Sequence, residues 1–113
     1  MKTYTFTVKD KEYTLKYDFN AICEIEDSEK TGISALLSGD RVGFTTIRLI
    51  IWGGLRWKNA GLTKQAVGFL IAKFVEEGGD LETLVNNAII LIKGVNGISS
   101  KKSDEDEDDA GNE

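Results

Sequence analysis

The hydrophobic period of this chain changes once, between Tyr17 and Asp18, and that change dictates the kind of fold it can adopt. Up to Tyr17 the period is two. Tyr4, Phe6 and Val8 alternate with Thr3, Thr5 and Thr7; after the polar break Asp10-Lys11-Glu12 the alternation resumes with Tyr13, Leu15 and Tyr17 against Thr14 and Lys16. β-Branched and aromatic residues alternating around a short polar break spell a β-hairpin over about residues 3–17. Two strands are marginal in water by themselves, so the aromatic face needs a surface to pack on.

Beyond Tyr17 the spacing is helical. Asp18 is placed to cap a helix with Phe19, Ile22 and Cys23 on one face and Ile25 at its edge, stopping near Gly32. Ile33 to Leu37 reads as a short helical turn closed by Gly39. Thr45 or Thr46 opens a third helix with Ile47, Ile50, Ile51, Gly54 and Leu55 on one stripe. Thr63 caps a fourth, whose inner face is Val67, Leu70, Ile71 and Phe74, ended by Gly78-Gly79. Asp80 caps a fifth, on which Leu81, Leu84, Val85, Ala88, Ile89, Leu91 and Ile92 keep a 3.6-residue period as far as Gly94. The expected fold class is therefore α+β, an N-terminal β-hairpin packed on a bundle of four to five α-helices over about residues 19–94. The absence of proline agrees with such a helical body.

At 113 residues there is room for one core, which we place in residues 1–98. That stretch holds 12 basic and 12 acidic side chains, while residues 99–113 carry the whole net charge of −5. Seven acids with no apolar anchor cannot offset an ordering cost of about 1–2 kcal/mol per residue, so the sequence predicts a disordered acidic tail. With the body neutral and the tail acidic, direct nucleic-acid binding is not expected. No apolar run is long enough to span a bilayer, and Met1-Lys2 leads straight into the alternating segment with no signal-peptide core.

The residues that carry most enzyme chemistry are missing. There is no histidine, which excludes histidine-based triads and metal sites. Cys23 stands alone on an apolar helix face, where a buried, inert thiol is expected. Glu24 and Glu26 lie two apart on a helix and so point in different directions. Gly53-Gly54 and Gly78-Gly79 lack the context of a phosphate cradle, and Asp104 to Asp109 lacks the glycine of a calcium loop. We therefore expect no catalytic residue, metal ligand or cofactor.

Three helices carry large apolar residues off their main stripe. Leu49 and Trp52 share a second stripe with Arg48 and Arg56; Phe69 lies toward Ala66 and Lys73; Ile90 lies toward Thr83, Asn86 and Asn87. Such surplus apolar surface marks a partner site, or, for Leu49 and Trp52, a central helix buried all round. Gly53 and Gly54, each costing about 1 kcal/mol in a helix interior, imply a bend or the close approach of another element.

The segment Tyr17-Asp18-Phe19-Asn20-Ala21-Ile22-Cys23-Glu24-Ile25-Glu26, at the exit of a hairpin, resembles the start of the tail assembly chaperones of siphophages and gene transfer agents. Gly32-Ile33-Ser34-Ala35-Leu36-Leu37, then Phe44 leading into Ile51-Trp52-Gly53-Gly54-Leu55-Arg56, then Gly61-Leu62-Thr63, come in similar order over about residues 3–77. The resemblance implies a phage or prophage protein with no catalytic residues. It would escort the tape measure protein while major tail tube subunits polymerise around it, in the bacterial host cytoplasm, and be absent from the finished particle. It also implies a longer frameshifted form, for which the Lys101-Lys102 codons are candidates. The long acidic tail departs from the shorter members. Self-association, a structural tail component retained in the virion, and an acidic regulator of a basic partner are the competing expectations.

Overall fold

The computed structural model describes residues 2–38 and 42–96. Gly39 and the expected acidic tail lie outside the described residues. The order is β1 (Thr3–Val8), β2 (Lys11–Lys16), α1 (Phe19–Glu29), α2 (Ile33–Leu37), α3 (Phe44–Leu55), α4 (Lys64–Glu76) and α5 (Leu81–Asn96). The fold is α+β, as the change of period requires.

β1 and β2 form an antiparallel pair with Phe6 opposite Tyr13, Tyr4 opposite Leu15 and Val8 opposite Lys11. The polar break is shorter than the sequence suggests. Only Lys9 and Asp10 lie outside the strands, and both have positive φ (51° and 66°), the backbone of a type I′ turn. The Lys9 N–H donates to the Glu77 carboxylate at 2.9 Å, which ties the turn to the end of α4. Phe6, Val8, Leu15 and Tyr17 are buried on the inner face, and Thr5 and Thr14 hydroxyls meet at 2.9 Å on the outer one. The Trp57 indole N–H donates to the Thr14 carbonyl at 2.9 Å, covering part of the β2 edge.

α3 is the axis of the molecule. It touches β2, α1, α4 and α5, and every residue from Leu49 to Leu55 is buried. Its two glycines explain how so many elements reach it. A Cβ on Gly53 would lie 2.5 Å from Ile25 of α1, and one on Gly54 would lie 2.6 Å from the Tyr17 ring. Each glycine thus admits a large side chain directly against the helix backbone. The Tyr17 hydroxyl uses that proximity to donate to the Ile50 carbonyl at 2.6 Å.

Burial holds the Tyr17 phenol well above its usual range. The proton is kept more tightly in the folded state than in the unfolded one. Tyr17 therefore contributes stability that is complete below about pH 10, the unfolded value, and declines as pH rises beyond it. Denaturation between pH 9 and 11 should show wild type losing about 1.4 kcal/mol more per pH unit above 10 than Tyr17→Phe does. Parallel profiles for the two proteins would contradict this.

The caps follow the side chains in three of four cases. Asp18 accepts from Ala21 N–H at 2.8 Å, Thr63 from Ala66 N–H at 3.1 Å, and Asp80 from Glu82 and Thr83 N–H at 3.1 and 3.3 Å. The Thr83 hydroxyl also donates to Asp80, and these bonds hold its carboxyl below the usual range. The exception is α3, which starts at Phe44 after Gly43 with no side-chain cap, not at Thr45 or Thr46. α4 ends as expected at Gly78 (φ 92°), with Gly79 N–H bonded to Phe74 O and Gly78 N–H to Val75 O. α5 continues past Gly94 to Asn96.

On α1 the buried pair is Ile22 and Ile25, because Gly53 receives Ile25. This moves Ile25 from the edge to the centre of the contact. Phe19, one turn before Ile22, projects past the packed region and is 71% exposed. Cys23 is half-buried, not buried as expected, because the face turned to α3 is centred on Ile25.

Candidate protein-binding groove

The second-stripe residues of α3 do not form a surface. Leu49 and Trp52 are 2% and 8% exposed, since α3 has neighbours on all sides. Trp52 binds the α3–α4 connection: its indole N–H donates to the Leu62 carbonyl at 2.9 Å. The Arg56 guanidinium and the Lys64 ammonium lie 4.9 and 5.3 Å from its ring centroid. Glu24 and Glu26 are held apart, Glu24 pairing with Arg56 at 2.8 Å and Glu26 accepting the Ile33 N–H at the start of α2.

Phe69 and Ile90 are 68% and 64% exposed, and each lines a recess. Ile90 sits with Leu91, Lys93 and Val95 of α5 beside Lys2 and Tyr17, around a hollow of about 550 Å³. Phe69 belongs to a more elaborate place. Where the inner face of the hairpin meets α4, Val8, Tyr13, Phe69 and Leu70 line a hollow of about 370 Å³. A second hollow of about 310 Å³ shares Lys11, Tyr13 and Leu70 with the first and runs on to Leu55, Lys58 and Leu62. The two adjoin at Lys11, Tyr13 and Leu70 and together form a shallow groove with an apolar floor between β2 and α4.

The rim of this groove is basic. Lys9, Lys11 and Lys73 line the first hollow, and Lys58 and Glu12 the second. Lys73 is shared with Glu76 at 3.4 Å, and Lys11 lies 5.5 Å from the Tyr13 ring centroid. Glu77 is engaged with the hairpin turn. Summed charge concealed this patch, because the body is neutral only as a whole. Residues 41–75 contain six basic and no acidic side chains, whereas Asp18 to Glu29 contains five acids and no base. The acid-free run was the sequence signal for a basic half. The hairpin turn adds Lys9 and Lys11 to it from far away in the chain.

Comparison with protein-family models, curated proteins and solved structures returned no match for this chain. Among the described residues, no helix is long and apolar enough to cross a membrane.

Proposed function

We propose that the chain is a non-enzymatic tail assembly chaperone that holds a segment of another tail protein in the groove between the hairpin and α4. The observation that carries this reading is Phe69. A phenylalanine left 68% exposed beside an apolar floor, in a hollow also lined by Lys9, Lys11 and Lys73, suits a protein segment with one apolar and one acidic face. The segment Tyr17 to Glu26, which resembles the start of such chaperones, adds to it. The tape measure protein and the major tail tube protein are the proposed partners, met in the host cytoplasm during assembly, with the chaperone absent from the finished virion.

Calorimetric titration with purified tape measure fragments and tube protein tests the reading. Phe69→Asp should weaken binding at least about tenfold, a loss of about 1.4 kcal/mol, with the melting temperature unchanged. Ile90→Asp measures whether the α5 recess belongs to the same surface. Full affinity in Phe69→Asp would remove the groove from the contact, and finding the chain in purified particles by mass spectrometry would favour a structural tail component.

A further inference from the structure

We propose that the chain's own acidic segment, residues 104–109, seats on the lysine rim of this groove and competes with the partner. The inference rests on the groove being the partner site. Among the described residues the ion pairs are Arg56–Glu24 and Lys73–Glu76, so Lys9, Lys11 and Lys58 face the groove with no carboxylate partner. Asp104-Glu105-Asp106-Glu107-Asp108-Asp109 is the longest uninterrupted acidic run in the chain, and its charge is opposite to that of the rim lysines.

The distances agree. Gly94 and Val95 of α5 line the same hollow as Lys2, at the base of β1, while the groove begins at the opposite end of that strand with Val8 and Lys9. The seven residue steps from Lys2 to Lys9 cover about 23 Å. Residues 97–103, the seven that come after Asn96, reach up to about 25 Å when extended. The acidic run is thus within reach of the rim. Its six residues reach about 20 Å farther, enough to pass from Lys9 and Lys11 toward Lys58. A seat made of side-chain charges asks for no regular structure in the segment. As a tethered competitor it withholds the groove from weakly acidic or misplaced segments and yields to one that also fills the apolar floor around Phe69.

Zero-length carbodiimide cross-linking of the full chain, with mass spectrometry of the monomer band, tests this directly. At about 20 mM NaCl, cross-links should join residues 104–109 to Lys9, Lys11 or Lys58, and they should fade at about 500 mM, where screening shortens to about 4 Å. Cross-links confined to Lys2 and Lys93, or found only in a dimer band, would overturn the proposal. In the full chain with Asp104, Asp106, Asp108 and Asp109 changed to Asn and Glu105 and Glu107 to Gln, tape measure fragment should bind about threefold or more tighter at low salt. Weaker binding would mean that the segment contacts the partner itself, which overturns competition. Rim cross-links together with unchanged partner affinity would retain the seat but remove the groove from the partner contact.

Discussion

Replacing Trp52 with alanine should cost about 3–5 kcal/mol of folding stability, although the sequence also allows the residue to be surplus apolar surface. Three losses coincide. The ring leaves a cavity at a site only 8% exposed. The Leu62 carbonyl loses its donor, and Arg56 and Lys64 lose the face on which they lie. Trp52→Phe should fall well short of that cost, because it keeps most of the volume and forfeits mainly the hydrogen bond, worth about 1 kcal/mol. Urea denaturation monitored by far-UV circular dichroism measures both, and an unchanged slope assigns the shift in midpoint to stability alone. A loss below about 1 kcal/mol for the alanine variant would return Trp52 to the surface.

Phe6→Ala should cost a similar amount, about 3–5 kcal/mol, by a different route. Phe6 is 5% exposed, stacked on Tyr13 at 5.7 Å and meeting Phe74 of α4 edge-on at 5.5 Å. It therefore joins the two strands to each other and the hairpin to the helices. Because two strands alone are marginal, loss of this contact releases the pair as a unit. Amide protection across β1 and β2 should fall together, ahead of α3. Near-native stability and protection in Phe6→Ala would show the hairpin to be a free arm.

The elements were legible because their causes are local. A period of two, a period of 3.6, and Asp18, Thr63 and Asp80 with side chains free to cap are all written within a few residues. The register of the hairpin was less so, since Lys9 and Asp10 enter the left-handed turn without the Asn-Gly that usually announces it. α3 began earlier than expected because Gly43 offers no side chain to read. For Leu49 and Trp52 the sequence left two readings open, a partner surface or a helix buried all round, for a deeper reason. A helix with an apolar second stripe and a helix enclosed on every side have the same pattern, and only the neighbours distinguish them. The groove was hidden because its rim comes from the hairpin, from the connection after α3 and from α4, which meet only in three dimensions.

Every surface the hairpin needs lies downstream of it. β2 ends at Lys16 and α3 at Leu55, so on the ribosome 39 residues separate the finished strand pair from its main support. At about 5–20 residues per second that interval lasts about 2–8 s. Throughout it Phe6, Leu15 and Tyr17 have no helix to cover them, and both strand edges are open to neighbouring chains. The lysines at positions 2, 9, 11 and 16 are then the gatekeepers of a nascent, aggregation-prone segment. Once α3 and α4 arrive, Lys16 settles over Trp57 and Lys9 and Lys11 become part of a rim. Two of the charges that keep the unfinished chain apart from its copies, Lys9 and Lys11, are left after folding on the rim of the groove.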